Sequence, residues 1–149
     1  KKMRFEELSI SGVILIKPTI WEDSRGSLME SYHEKKYNIE GISDKFVQDN
    51  YVISYQNTLR GMHYQEKFPQ AKLVRCFRGK IFDVAVDMRT NSSTVGEWIG
   101  RELSEFNNYQ LFIPEGFAHG YYVMSEIAEV YYKCSNVYNI HRRIKIFII

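Results

Sequence analysis

The stretch Lys80-Ile81-Phe82-Asp83-Val84-Ala85-Val86-Asp87-Met88 decides the fold. Four apolar residues share one face of an extended chain: Phe82, Val84, Val86 and Met88. This alternation with a period of two predicts a β-strand, because successive side chains of a strand point to opposite sides. Leu73–Phe77 is also typical of a strand, and Arg78-Gly79 between the two segments predicts a hairpin turn.

Further short segments along the chain have the character of strands: Gly12–Ile16, Gln110–Ile113, Gly120–Met124 and Ala128–Cys134. The best helical segment is short, Glu34–Tyr37, and Ser104–Asn107 is typical of a turn. Many short strands separated by turn residues favour an all-β antiparallel sandwich or barrel with little helix. A small barrel of this kind can hold one ligand between its strands.

The composition indicates one folded domain over residues 1–149, without a linker or repeat. Twenty Lys+Arg against 18 Asp+Glu give a net charge of +2, which argues against nucleic-acid or membrane-surface binding. The charged start, Lys1–Glu7, differs from a signal peptide and no apolar run could span a bilayer, so we expect a cytoplasmic protein. Cys76 and Cys134 lie in strand-like segments, which predicts buried free thiols.

Two of the four histidines lie in segments rich in glycine and aromatic residues. His63 belongs to Arg60-Gly61-Met62-His63-Tyr64-Gln65, and His119 to Pro114-Glu115-Gly116-Phe117-Ala118-His119-Gly120. Histidine titrates near neutrality, so it can both accept and donate a proton. The alternative is a packed or surface histidine. Inward-facing strand positions give distant residues a way to converge in one cavity: His63, Lys72, His119 and Tyr132.

Several longer motifs follow one another in order along the chain. They are Asp23-Ser24-Arg25-Gly26, Met29-Glu30-Ser31-Tyr32, Phe46-Val47-Gln48-Asp49-Asn50, Leu59–Gln65, Lys72-Leu73-Val74-Arg75, Gly79–Asp87, Ile113–Gly120 and Tyr132-Lys133. With these motifs the chain resembles the dTDP-4-dehydrorhamnose 3,5-epimerases of the cupin superfamily, from about Gly12 to Tyr138. The resemblance implies a cupin-type jelly roll and a cofactor-free isomerase of deoxysugar (rhamnose) biosynthesis.

The resemblance also implies a reaction. The substrate is a nucleotide-linked 4-keto-6-deoxy sugar, dTDP-4-keto-6-deoxyglucose, whose C3 and C5 hydrogens are α to the ketone. His63 matches the base that removes a proton, and Tyr132 matches the acid that returns one on the opposite face. Lys72 matches the cation beside the C4 oxygen, where it stabilises the enolate. Because side chains alternate, only one of Tyr131 and Tyr132 can face the cavity.

The same resemblance implies a set of substrate contacts. Arg25 and Arg60 suit the diphosphate, because guanidinium groups bind such anions bidentately. The remaining matches contact the base or sugar, with Tyr138 stacking on the nucleobase: Glu30, Gln48, Asn50, His119 and Tyr138. In this family the segment with Arg25 and Glu30 tends to reach a neighbouring subunit, so a homodimer with shared sites is expected.

A metal-dependent cupin is a rival hypothesis. Such proteins use an HxH pair with a carboxylate and a later histidine. Here Tyr64-Gln65 follows His63, so the pair is absent and we predict no metal.

After Tyr138 the chain departs from the family pattern. It continues as Asn139–Ile149, and the family's His-orienting aspartate and a substrate-loop glutamate are missing at their expected places. Asp83 or Asp87 could take over that orienting role. Losing such a carboxylate lowers the rate of a hydrolase triad about 10⁴-fold. The alternative function is therefore a non-catalytic or impaired sugar-nucleotide-binding cupin.

Three interpretations of this tail stay open. It is a frameshifted or shortened gene product, a native short variant, or an edge strand in the dimer. The apolar ending Ile146–Ile149 is expected to be paired or buried.

Overall fold

The computed structural model describes the backbone of residues 2–145 and the side chains of residues 2–141. Within this part of the chain, short strands alternate with turns, and one helix and one 3₁₀ turn interrupt them. The helix is α1 (Glu34–Ile39), and the 3₁₀ turn spans Ile140–Arg142. The strands are β1 (Arg4–Glu7), β2 (Ile14–Lys17), β3 (Ile20–Asp23), β4 (Gly26–Met29), β5 (Gln48–Tyr55), β6 (Leu59–Gln65), β7 (Lys72–Arg78), β8 (Lys80–Asp87), β9 (Trp98–Ser104), β10 (Gln110–Ile113), β11 (Phe117–Val123), β12 (Ile127–Cys134) and β13 (Arg143–Lys145).

Two sheets pack face to face. One has six strands in the order β1-β2-β10-β7-β12-β5, and the other has five in the order β13-β6-β11-β8-β9. All pairs are antiparallel. The predicted all-β jelly roll with little helix is confirmed. Strands β3 and β4 form a separate two-stranded ribbon over residues 20–29.

The hairpin predicted at Arg78-Gly79 is wrong. Strands β7 and β8 do not form a hairpin, because β7 pairs with β10 and β12 while β8 pairs with β9 and β11 in the other sheet. Gly79 has φ +77°, and a Cβ atom there would lie 2.1 Å from the Ile127 carbonyl oxygen. The chain therefore uses a glycine corner to cross between the sheets, which strand alternation alone cannot distinguish from a hairpin.

Apolar side chains fill one half of the space between the sheets. We call this the apolar half, and its central residues are at most 6% exposed: Val74, Cys76, Ile81, Ala85, Ile99, Leu103, Leu111, Val123, Ala128 and Val130. From β8, Ile81 and Ala85 point into it, whereas Val84 and Val86 pack on the outer face of the five-stranded sheet. Cys76 and Cys134 are buried and free, as predicted.

Helix α1 covers part of the outer face of the six-stranded sheet. It includes the predicted Glu34–Tyr37 and runs two residues further. The His33 ring accepts a hydrogen bond at Nδ1 from the Lys36 amide (3.3 Å) and so caps the helix. Tyr37 is fully buried and donates from its hydroxyl to Gln110 Oε1 (2.7 Å). This contact ties the helix to β10.

The C-terminal strand β13 lies at the edge of the five-stranded sheet. It pairs with β6, with Arg143 opposite Gln65 and Lys145 opposite His63. The expectation that Ile146–Ile149 is paired or buried falls outside the described residues. Among the helices of residues 2–145, none has the length and apolar character to cross a bilayer.

Candidate active site

Three strands of the six-stranded sheet supply one wall of a cleft. In the antiparallel register Tyr132 lies opposite Asn50 on one side and Val74 on the other, and Lys72 lies opposite Cys134. Partners across a ladder share a face, so these side chains point together between the sheets. Tyr131 points the other way and packs on Phe77, with ring centroids 5.4 Å apart.

Strands β6 and β11 of the other sheet supply the opposite wall. His63 and His119 are direct register partners. A Cβ atom at Gly61, which has φ +109°, would lie 2.6 Å from the His119 carbonyl oxygen, and one at Gly120 would lie 2.6 Å from Met62 Sδ. The glycines of both histidine motifs therefore allow the close backbone approach that sets the two histidines side by side.

The cleft between these walls has two connected parts. An outer chamber of about 360 Å³ opens to solvent, and an inner chamber of about 110 Å³ continues from it. The two chambers share the residues Val52, His63, Lys72 and Tyr132. The outer chamber is also lined by Gln48, Asn50, Tyr64, Gln65, Phe117 and Tyr138, and the inner chamber by Arg60, His119, Gly120 and Tyr121.

Most of the residues predicted for the site line this cleft. They are His63, Lys72 and Tyr132, together with Gln48, Asn50, Arg60, His119 and Tyr138. Five strands contribute these side chains, and Tyr138 lies just after β12.

Arg25 and Glu30 lie outside the cleft. Arg25 is at the tip of the β3–β4 ribbon, where its Nη2 pairs with Asp23 Oδ2 (2.6 Å) and its side chain is 88% exposed. Glu30 Oε1 pairs instead with Lys36 Nζ (2.9 Å). Within one chain, the ribbon therefore holds these two residues away from the chambers.

A buried acid–base pair supports the inner chamber. His119 Nε2 lies 2.6 Å from Asp83 Oδ1, and both side chains are almost fully buried. Such a carboxylate fixes the orientation of the imidazole ring. Asp83, one of two carboxylates considered for His63, thus makes this contact with the neighbouring histidine.

Asp87, the second candidate for His63, organises a loop instead. Burial opposes its ionisation, but hydrogen bonds from Arg89, Ser92 and Thr94 together outweigh that effect and hold its pKa well below the usual range. The Arg89 Nη2 to Asp87 Oδ2 distance is 2.9 Å. Asp87 therefore anchors residues 88–94 beside the cleft.

Tyr132 and Lys72 lie close together at the centre of the site. Burial raises the pKa of the Tyr132 phenol, and a hydrogen bond with Asn50 lowers it by less. The phenol therefore keeps its proton at neutral pH and can act as a donor. Lys72 is 8% exposed, and its Nζ lies 5.7 Å from the centre of the Tyr132 ring. The His119 ring meets Tyr132 edge-on from the other wall, with centroids 6.3 Å apart.

The outer chamber combines amide groups with an aromatic ring. Gln48 Nε2 donates to Asn50 Oδ1 (3.1 Å), and Gln48 Oε1 accepts from the Tyr138 backbone amide (2.9 Å). These contacts fix Tyr138 at the mouth of the cleft, where its side chain is partly exposed. An aromatic face beside amide groups can bind a planar heterocycle by stacking and hydrogen bonds.

Several lining residues were missed in the sequence. Tyr121 is the most buried of them, and Ser54 supports the inner chamber by accepting a hydrogen bond from Arg60 Nε (2.7 Å). Tyr121 lies two residues after His119, so strand alternation alone places both on one face. Among the described side chains, no three His, Cys, Asp or Glu residues come together as a metal site would require.

Comparison with known proteins identifies the family. The family model for dTDP-4-dehydrorhamnose 3,5-epimerase matches residues 7–148. The chain is 48% identical over 138 residues to the dTDP-4-dehydrorhamnose 3,5-epimerase of Methanothermobacter thermautotrophicus, covering 93% of this chain and 75% of that protein. It is 47% identical over 132 residues to the Escherichia coli enzyme of the same name, covering 87% and 71%.

A solved structure agrees in fold as well as sequence. The dTDP-6-deoxy-D-glucose-3,5-epimerase of Legionella pneumophila, crystallised with dTDP-4-keto-L-rhamnose, superposes with a TM-score of 0.94 at 44% identity. The match covers 97% of this chain and 77% of that one. The chain therefore belongs to the dTDP-4-dehydrorhamnose 3,5-epimerase family, as its sequence motifs predicted.

Proposed function

We propose that this protein is a nucleotide-sugar epimerase that inverts C3 and C5 of dTDP-4-keto-6-deoxyglucose. The observation that carries the proposal is the meeting of His63, Lys72 and Tyr132 around one cleft, from strands of both sheets. Membership of an isomerase family and a cleft with two connected chambers support the same conclusion.

The first step is removal of a proton from C3 or C5. These hydrogens are acidic because the C4 ketone accepts the electron pair and becomes an enolate. His63 lines both chambers, so it can reach a sugar that spans their junction. A positioned base of this kind contributes about 10²–10⁴-fold in rate.

Lys72 stabilises the enolate. Its ammonium group is largely buried, so water screens its charge weakly. A cation fixed in advance near the C4 oxygen favours the developing negative charge more than it favours the neutral ketone. This preference lowers the barrier rather than merely strengthening substrate binding.

Tyr132 completes the inversion by returning a proton to the opposite face of the carbanion. It lies on the six-stranded sheet, whereas His63 lies on the five-stranded sheet, so the two groups approach the sugar from different walls. The raised pKa of Tyr132 keeps the donor proton in place until the carbanion forms. The His63 imidazolium then releases its proton to solvent, and the Tyr132 phenolate takes one up, which restores both groups.

Hydrogen exchange tests the proposal. In D₂O, deuterium should enter C3 and C5 of dTDP-4-keto-6-deoxyglucose, detected by proton NMR. dTDP-glucose is the matched control, because it lacks the ketone and its ring hydrogens should not exchange. If the protein binds the keto sugar but no exchange is seen at high protein concentration, the proposed catalysis is refuted and the protein is a non-catalytic sugar-nucleotide-binding cupin.

We also propose that the nucleotide occupies the outer chamber. Tyr138 would stack on the base, with Gln48 and Asn50 as polar contacts, and Arg60, which lines the inner chamber, would meet the sugar. Tyr138→Ala should weaken dTDP binding about fivefold to a hundredfold, since base–aromatic stacking contributes about 1–3 kcal/mol. Unchanged dTDP affinity in calorimetry would contradict this arrangement.

We further propose a homodimer with shared sites. The ribbon exposes Trp21 (55%) and Leu28 (67%), and large exposed apolar side chains favour a protein contact. Arg25 and Glu30 would then enter the neighbouring subunit's cleft. Mixing Arg25→Ala with His63→Asn protein should restore one intact site per hybrid dimer and recover activity. No recovery, or a monomer in light scattering, would contradict shared sites.

We also propose that the protein is a single domain and that it works in the cytoplasm. Residues 1–149 act as one domain, without a further domain inserted between the strands that form the cleft. The buried free thiols Cys76 and Cys134 suit a reducing compartment such as the cytoplasm. Recovery of the native protein with both thiols oxidised would argue against that compartment.

A further inference from the structure

The inner chamber contains a buried hydroxyl that the proposed mechanism does not use. Tyr121 is 3% exposed and lines this chamber. Its hydroxyl has no hydrogen-bond partner of normal geometry among the described residues. Buried polar groups are almost always hydrogen-bonded, so an unpaired one on a residue that lines a cavity points to a polar occupant.

The surroundings keep this hydroxyl available as a donor. Burial raises the pKa of Tyr121 to about 12, while the positive charge of Arg60 and a contact with Ser54 lower it by less. The Ser54 oxygen already accepts from Arg60 Nε at 2.7 Å. The Tyr121 ring lies 6.2 Å from the His119 ring, on the same strand face. The phenol is therefore protonated and close to the catalytic centre.

The layout of the cleft indicates which part of a ligand meets Tyr121. The residues shared by both chambers include His63, Lys72 and Tyr132, so the reacting carbons lie at the junction. The nucleotide fills the outer chamber, which leaves the inner chamber to the far side of the hexose. A space of about 110 Å³ accommodates part of a sugar ring. A 4-keto-6-deoxy hexose retains free hydroxyls at C2 and C3.

We propose that the Tyr121 hydroxyl donates a hydrogen bond to the C3 hydroxyl of the hexose and thereby determines sugar specificity. The inference rests on the proposed function and deepens it. Tyr121 acts by positioning the ring, while the proton transfers belong to His63 and Tyr132. A site built to bind a substrate hydroxyl discriminates against analogues that lack it.

The test compares Tyr121→Phe with the native protein in calorimetric binding of two ligands, dTDP-glucose and dTDP. dTDP-glucose keeps the ring hydroxyls and is not turned over. The variant should bind dTDP-glucose about three- to tenfold more weakly, the range of one neutral hydrogen bond, and dTDP equally well. Its melting temperature should stay within a few degrees of native, because the hydroxyl makes no hydrogen bond of normal geometry among the described residues. Tyr122→Phe, on the outer face of the same strand, is the matched control and should bind both ligands as the native protein does.

Other outcomes overturn the assignment. Equal dTDP-glucose affinity in Tyr121→Phe would mean that the hydroxyl meets no sugar oxygen. Equal weakening for dTDP and dTDP-glucose would indicate a structural role. The binding readout does not require turnover. If the native protein binds dTDP-glucose but shows no isotope exchange with the keto sugar, only the proposed catalysis is refuted. If it binds no sugar nucleotide, both the proposed catalysis and the assignment of Tyr121 are refuted.

Discussion

The two halves of the space between the sheets are built from the same strands but differ in character. On β12, Ala128 and Val130 fill the apolar half, and Tyr132, two residues further, faces the cleft. On β7, Val74 is fully buried in the core and Lys72 lines both chambers. On each strand, a core residue and a cleft residue are therefore only two positions apart.

The difference lies in side-chain shape and polarity. Short, mostly aliphatic side chains of the apolar half form one buried cluster, and such packing stabilises a sandwich. The cleft half carries long polar and aromatic residues that leave a cavity between them. The burial of the first half stabilises the fold that holds the buried polar groups of the second.

The largest expected effect is on the cleft side. His63→Asn should lower deuterium exchange at C3 and C5 about 10²–10⁴-fold, because the base is lost. NMR exchange rates measure this, and the melting temperature should stay within a few degrees of native. His141→Asn, which changes an exposed histidine, is the control. Native exchange rates in the His63 variant would refute the assignment of the base.

The next effect belongs to the apolar half. Leu103 is fully buried, so Leu103→Ala should lower the free energy of unfolding by about 2–5 kcal/mol, through lost burial and the cavity left behind. Urea denaturation measures the change. Exposed Leu59→Ala should shift it by less than about 0.5 kcal/mol. A large loss of exchange rate in still-folded Leu103→Ala protein would contradict the separation of the two halves.

Lys72→Met should separate activity from stability. Loss of the cation should reduce the exchange rate about 10²–10³-fold. The free energy of unfolding should stay within about 1.5 kcal/mol of native, because methionine keeps most of the packing volume. Exchange kinetics and urea denaturation on one sample give both values, with exposed Lys67→Met as the control. Comparable losses in both would identify Lys72 as a structural residue.

The smallest effect compares one buried thiol from each half. Burial raises the pKa of Cys76, in the apolar half, to about 12. Burial also raises the pKa of Cys134, in the cleft half, but only to about 11, because the positive charge of Lys72 lowers it. Thiolate absorbance should therefore appear at lower pH in Cys76→Ser protein, which keeps Cys134, than in Cys134→Ser protein. The reverse order would contradict the charge difference between the halves.

The same shifts predict the alkaline limit of stability. A folded pKa above the ordinary thiol value of about 8.5 means that each thiol's contribution is fully present below that pH. The contribution is lost as the pH rises through about 11 and 12. Melting temperatures measured across this range should fall steadily, and a flat profile would contradict the burial of both thiols.

The sequence predicted strands best where one face is apolar and buried. Gln110–Ile113 matches β10 at both ends, and the segments at 73–77, 80–88 and 128–134 differ from β7, β8 and β12 by at most one residue at each end. Strand β5 was missed because its pattern is inverted. Polar Gln48 and Asn50 face the cleft, while Tyr51 and Ile53 are about half exposed on the outside.

The sequence by itself determined the family, the jelly roll and eight of the residues that line the cleft, because motif residues and strand alternation are local properties. Tertiary structure alone decided which sheet receives each strand, as the corner at Gly79 demonstrates. It also paired Asp83 with His119, 36 residues apart, and held Arg25 away from the cleft of its own chain. Such contacts depend on strand register and sheet packing, which a pattern of period two does not encode.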